Sequence, residues 1–221
     1  MIIPVILENS LEEVEGRIRQ IESATSLIQI DFADGVLTNG TTYLDLEKIL
    51  QIDTRAQYDI HLMVQDPFAY LLPSEKIRKI CTQVEAIAHG NHGKADAEID
   101  ITKWLNKAKE NGYLAGLSLN PETPPDVVEP YAELLDFLQL MAVTPGEQGR
   151  KFDETVLQKI RTSKQKYPLL KIQVDGGINE TNILKILKAG ADDVVIGSAV
   201  FRAKSPLQAL LNFERMQNEQ D

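Results

Sequence analysis

Three residues have side chains that move protons and a spacing that lets them meet: Asp31, His61 and Asp175. Each ends a short run rich in Ile, Val and Leu. The runs are Gln29-Ile30-Asp31-Phe32-Ala33-Asp34-Gly35, Asp59-Ile60-His61-Leu62-Met63-Val64 and Gln173-Val174-Asp175-Gly176-Gly177-Ile178. Carboxylates and imidazoles are common general acids and bases. Residues two apart in a strand share a face, so Gln29 points the same way as Asp31. Two carboxylates, an imidazole and an amide can then converge at one mouth. Singly, each has a plainer role: aspartates cap loops, and histidines sit satisfied in cores. Together, at three strand ends, they outweigh that role, because unpaired buried charges are costly.

Two further stretches suit an anion. Thr144-Pro145-Gly146-Glu147-Gln148-Gly149-Arg150 follows an apolar run, and Gly146 and Gly149 let backbone N–H groups approach a ligand. Val195-Ile196-Gly197-Ser198-Ala199 opens a short helix, whose N-terminus favours negative charge. A phosphate site is expected near Gly177, Gly197 and Ser198, with a smaller part for Gly146 and Gly149.

Positioning these groups requires a repeating scaffold. Candidate strands are Ile2 to Leu7, Leu27 to Phe32, Tyr58 to Leu62, Gln83 to Ala88, Leu114 to Leu119, Phe137 to Val143, Lys171 to Val174 and Asp193 to Ile196. They read as continuous apolar runs, the pattern of parallel strands covered on both faces. Helical spacing recurs between them, as in Leu11, Val14 and Ile18, or Trp104, Leu105 and Ala108. Ser10 before Glu12 and Glu13, and Asn179 before Glu180, look like helix starts. The stretch from His89 to Asp100 reads as a loop. Eight strands alternating with helices predict the α/β class and one (β/α)8 TIM barrel over residues 1–221. A doubly wound sheet would favour a glycine-rich turn after the first strand, where Glu8-Asn9-Ser10 stands. In a barrel the chemistry sits on the loops after the strands.

Composition narrows the setting. The 221 residues are 43% hydrophobic and 25% charged, ordinary for a globular protein. A net charge of -10 argues against nucleic acid or an anionic membrane as partner. One cysteine, Cys81, cannot form an internal disulfide and fits a reducing compartment. No basic, apolar leader and no run of ~20 apolar residues is evident. The chain reads as cytoplasmic, and the sequons at Asn39 and Asn179 read as chance matches.

At these residues the sequence resembles the ribulose-phosphate 3-epimerase family. The resemblance runs in order through Pro4-Val5-Ile6-Leu7, Asp31 to Gly35, His61-Leu62-Met63-Val64, Leu119-Asn120-Pro121-Glu122-Thr123-Pro124, Met141 to Gly149, Val174 to Ile178, and Gly190 to Phe201. It implies a (β/α)8 barrel that interconverts ribulose 5-phosphate and xylulose 5-phosphate. It implies that Asp31 and Asp175 act as acid and base from opposite faces. It also implies a divalent metal, held by those aspartates and two histidines, that stabilises the developing oxyanion. His61, Met63, Gly146, Gly149, Gly176, Gly177, Gly197 and Ser198 are the implied contacts to the substrate and its phosphate.

The chain departs from that pattern. Gln29 replaces the first histidine ligand, Val5 a serine, and Ala33 a methionine. Gln148-Gly149 replaces a Gly-Gly pair, and Ala88-His89-Gly90-Asn91 stands where a His-x-Glu is implied. The remaining metal set is Asp31, His61 and Asp175, with Gln29 as an optional oxygen donor. An amide oxygen favours harder ions than zinc, so zinc, manganese, iron and magnesium all stay open, as does weak binding or none. The leading expectation is an epimerase acting on a small phosphorylated sugar, with self-association left open. The alternative is a barrel that binds a phosphorylated metabolite without turnover. A decarboxylase of the same barrel type resembles Asp-x-Lys-x-x-Asp, and Asp31-Phe32-Ala33-Asp34 lacks the lysine.

Overall fold

The computed structural model describes residues 1–88, 97–144 and 151–219. Among these, eight parallel strands close into a barrel in sequence order. They are β1 (Ile2–Ile6), β2 (Leu27–Ala33), β3 (Gln57–Met63), β4 (Ile77–Gln83), β5 (Leu114–Leu119), β6 (Phe137–Met141), β7 (Lys171–Asp175) and β8 (Asp193–Ile196). The helices are α1 (Leu11–Ile21), α2 (Leu46–Leu50), α3 (Val84–Ala88), α4 (Ala97–Glu110), α5 (Val156–Lys166), α6 (Ile183–Ala189), α7 (Ser198–Phe201) and α8 (Pro206–Asn218). Two 3-10 turns, Pro67–Tyr70 and Pro125–Leu134, follow β3 and β5. No described helix is long and apolar enough to cross a membrane.

Local chemistry sets the helix ends. The Ser10 hydroxyl accepts from the Glu13 N–H at 3.2 Å and donates to the Glu13 carboxylate at 2.9 Å, closing the first turn of α1. Gly190, at φ 111°, ends α6 in the left-handed region that favours glycine. Inward faces are apolar: Val14, Ile18 and Ile21 on α1, and the fully buried Trp104, Leu105 and Ala108 on α4. Each large aliphatic side chain among them is worth roughly 1.5–3 kcal/mol on burial.

The strands alternate more sharply than the continuous apolar reading allows. Outward residues, such as Ile28, Ile30, Tyr58, Ile60, Leu138, Leu140, Ile172 and Val174, join the main core beneath the helices. Inward positions are mostly polar and buried: Gln29, Asp31, Asp59, His61, Lys79, Gln83, Ser118, Gln139, Gln173, Asp175 and Asp193. Ile3, Val5 and Val195 form a small apolar patch on the β1–β8 side. Branched apolar residues usually fill such a barrel; here hydrogen bonds must.

Three sequence readings are corrected. The fourth strand is Ile77–Gln83, and Val84–Ala88 is a helix. Arg78 and Lys79 hid that strand, because their charges are neutralised by residues far off in sequence, Asp59 on the neighbouring β3 and Asp193 across the barrel on β8. Arg78 donates to Asp59 at 2.9 and 2.5 Å, and Lys79 donates to Asp193 at 2.5 Å. The stretch from Ala97 to Asp100 belongs to α4 and is not loop. Asn179 does not start a helix; its side chain accepts from the Thr181 N–H at 2.9 Å, and α6 begins at Ile183.

Candidate active site

Asp31 and His61 face each other across the β2–β3 register, and Asp175 ends β7. Strands β8 and β1 separate β7 from β2 around the barrel, so the two carboxylates come from different walls. The three side chains meet in the interior. His61 Nδ1 lies 3.3 Å from Asp31 Oδ1 and 3.9 Å from Asp175 Oδ2. All three are buried, with exposures of 4% for Asp31, 0% for His61 and 5% for Asp175.

Gln29 joins them, as the shared strand face requires. Its Nε2 donates to Asp31 Oδ1 and to Asp175 Oδ2, both at 2.8 Å. One NH2 group therefore spans the two carboxylates. Its oxygen accepts from Gln173 Nε2 at 2.8 Å. Gln173 Nε2 also donates to Gln139 Oε1 at 2.7 Å, and its own oxygen accepts from Lys79 Nζ at 3.0 Å. Gln139 Nε2 reaches Asp175 Oδ2 at 3.4 Å.

His61 is fixed from its other side by Gln83. With the Gln83 oxygen turned to the ring, it accepts from His61 Nε2 at 3.2 Å, and its NH2 donates to Ser118 O and Glu85 Oε2. That orientation leaves Nδ1 facing the carboxylates. The position implied as His-x-Glu is thus Gln83-Val84-Glu85 at the end of β4, not the stretch after Ala88. Glu85 in turn accepts from the Asn120 N–H at 3.2 Å and from the Thr123 hydroxyl, tying β4 to the loop after β5.

The electrostatics follow from burial. Desolvation pushes the Asp175 carboxyl up to about 7, and the nearby charge of Asp31 adds to the rise. For His61, burial alone would favour the neutral ring, but Asp31, by charge and hydrogen bond, and then Asp175 outweigh it and raise its pKa. The two carboxyl groups that Nδ1 faces thus make the ring easier to protonate than a free imidazole.

The ligand atoms of Asp31, His61 and Asp175 all lie within 4.8 Å of one another, a carboxylate–imidazole–carboxylate set suited to a divalent ion. This donor set fits. Gln29, as arranged, presents N–H groups to the same space rather than its oxygen.

The turn after β7 uses Gly176 at φ 109° and Gly177 at φ 66°. A side chain at Gly176 would also meet Val143 Cγ2 at 2.4 Å. The Gly177 carbonyl is held by Asn182 Nδ2 at 3.0 Å and Asn179 Nδ2 at 3.3 Å. Because β7 and β8 are neighbours, this turn lies beside Gly197 and Ser198, which open α7 and are half-buried. Met63 ends β3 on the His61 face and is buried. Gly146, Gly149 and the His89–Asn91 stretch lie outside the described residues.

The sequence reading missed Gln83, Gln139, Gln173 and Lys79. Gln173 stands two residues from Asp175, so a period of two was an available signal for it. Lys79 and Gln139 stand between Ile77 and Cys81 and between Phe137 and Met141 at that spacing, and Gln83 follows Cys81, so no such signal marked them.

Known proteins resemble this chain over most of its length. A family model described as "Ribulose-phosphate 3 epimerase family" matches residues 1–201. The chain is 30% identical to ribulose-phosphate 3-epimerase of Schizosaccharomyces pombe, over 95% of this chain and 90% of the relative. It is 32% identical to the Bacillus subtilis protein of that name, over 90% of each. Among solved structures, 3-hexulose-6-phosphate synthase from Salmonella typhimurium superposes with a TM-score of 0.75 at 16% identity, covering 100% of this chain and 99% of that one. The tryptophan synthase alpha-subunit of Pyrococcus furiosus gives 0.69 at 13%, covering 98% and 97%. These structural matches show the barrel alone. The match over residues 1–201 and the identities over nine-tenths of the chain settle the grouping: the chain belongs to the ribulose-phosphate 3-epimerase family.

Proposed function

We propose that this chain is a sugar-phosphate 3-epimerase that interconverts ribulose 5-phosphate and xylulose 5-phosphate. One observation carries the reading. Two buried carboxylates from different barrel walls, Asp31 and Asp175, converge on the same space beside His61. Inverting a carbon next to a ketone requires one group to take the proton from one side and another to return it on the other side. Asp175, with its pKa raised to about 7, holds a proton for part of the time near neutrality. In one direction Asp31 takes the proton and Asp175 gives one; in the reverse direction they exchange parts. With no ion bound, a protonated His61 stabilises the oxygen that gains charge as the proton leaves.

The phosphate is assigned to backbone N–H groups around Gly177, Gly197 and Ser198, with Gly176 shaping the turn. The loops after the last two strands are the usual phosphate position in this fold. Met63, on the face of His61, would line the sugar. Asp31, His61 and Asp175 would hold a divalent ion, such as zinc, manganese, iron or magnesium. When bound, it supplies Lewis-acid stabilisation of the same oxygen.

Gln29 favours a second reading, a barrel that binds a phosphorylated metabolite without turnover. Assaying purified protein on ribulose 5-phosphate separates the two. Xylulose 5-phosphate formation that Asp31→Asn abolishes supports the epimerase. Phosphosugar binding without product supports the second reading.

A further inference from the structure

The amide chain at the barrel centre can run in only one direction. At its lower end stands Lys79, paired with Asp193 at 2.5 Å. An ammonium group offers donors alone, so Gln173 must present its oxygen to Lys79, at 3.0 Å. The NH2 of Gln173 then faces Gln29 Oε1 and Gln139 Oε1, at 2.8 and 2.7 Å. With its oxygen taken, Gln29 turns its own NH2 to Asp31 and Asp175, at 2.8 Å each. The carboxylates, when ionised, offer acceptors alone, so both ends of the chain impose the same polarity. Reversing Gln29 would set its oxygen against two carboxylate oxygens and its NH2 against that of Gln173.

We propose that Gln29 is a positioning residue. Its amide, locked by Gln173 and Lys79, stands between Asp31 and Asp175 where a shared cation would bind. These N–H groups hold the carboxylates until an ion displaces them. An ion entering this site must displace two hydrogen bonds and finds no amide oxygen to bind. Divalent affinity is therefore set by the lock as much as by the Asp–His–Asp donors. Gln139, with Nε2 3.4 Å from Asp175, adds a further N–H on the same side. The proposal rests on the epimerase reading only for what the carboxylates do; the lock itself is a matter of hydrogen bonding and ion affinity.

The test is calorimetric titration of chelator-treated full-length protein with Zn2+ and with Mn2+ alone. Gln29→His removes the bridging NH2 and adds an imidazole. Gln173→Met is neutral, contacts no ion, and frees the Gln29 oxygen from its donor. Residues that orient ligands change affinity by about 10–100-fold. Gln173→Met is accordingly expected to tighten ion binding at least ~10-fold, and Gln29→His by more. An unchanged or weaker affinity in Gln173→Met would overturn the lock, as would wild-type zinc binding as tight as that of Gln29→His. Wild-type protein supplies a second readout should either variant fail to fold. The Gln29 side-chain NH2 signals in 15N NMR should be protected from exchange without metal and unmoved by chelator. Signals exchanging as fast as those of a surface glutamine would also overturn it. Epimerase turnover is scored separately, so loss of the lock and loss of the enzymatic reading are distinguishable.

Discussion

Replacing Asp175 by Asn should raise stability while removing activity. The carboxyl titrates at about 7 rather than 3.8 because burial and Asp31 oppose its charge. A raised folded-state pKa contributes stability that is complete below the unfolded value of 3.8 and is lost as pH rises through about 7. The shift is about 3 units at about 1.36 kcal/mol each, so ionising Asp175 in the folded state costs on the order of 4 kcal/mol at pH 8. Asparagine carries no charge at any pH. The shift already contains the attraction of His61 and the Gln29 hydrogen bond. The new side-chain NH2, however, must find an acceptor in the buried site, and a buried donor left unsatisfied costs about 1–3 kcal/mol, which offsets about half of that gain. The net at pH 8 is about 2 kcal/mol in favour of the variant. At ~2–4 °C per kcal/mol for a chain of this length, Tm should rise about 4–8 °C. Thermal unfolding of wild type and variant at pH 5, 6, 7 and 8 checks this. The gap should shrink steadily toward pH 5, where the wild-type carboxyl is protonated. A variant no more stable at pH 8, or a gap independent of pH, would refute the reasoning.

Other perturbations test the remaining parts. Ser198→Asp places a negative charge in the first turn of α7, where the helix tolerates it and a phosphate would not. KM for a sugar phosphate should rise at least ~10-fold with kcat changing much less, and an unchanged KM would move the phosphate elsewhere. Gly176→Ala forces φ 109° on a residue with a side chain and drives its Cβ to 2.4 Å from Val143. Urea unfolding should show a loss of about 2–4 kcal/mol, partly restored by adding Val143→Ala.

Much of this architecture is legible in sequence because strand runs and helical stripes are local. Leu114–Leu119 and Asp193–Ile196 stand as read, and the other strands differ by a residue or two at their ends, β4 excepted. Strand β4 escaped because Arg78 and Lys79 look exposed until Asp59, Gln173 and Asp193 are seen around them. Val84, Ala86 and Ile87 supply the apolar pattern that drew the strand reading, yet they bury on a short helix. Asp31, His61 and Asp175 were readable because each lies on an inward position within two residues of the end of its strand. The amide chain was not. Its polarity depends on Lys79 in β4, Gln173 in β7 and Gln29 in β2, and no local pattern brings those strands together. Gln29 itself was legible as a departure, but the atom it presents to the carboxylates is decided by Gln173.

The central claim is that two aspartates from different walls exchange a proton with one substrate carbon. It is tested most directly by incubating ribulose 5-phosphate with the protein in D2O and following C3 by NMR, for wild type, Asp31→Asn and Asp175→Asn. The account predicts that wild type forms xylulose 5-phosphate carrying deuterium at C3, and that each variant, folded by circular dichroism, forms none. Near-full epimerisation by either variant, or wild-type protein that binds the sugar phosphate without exchanging its C3 proton, would contradict it.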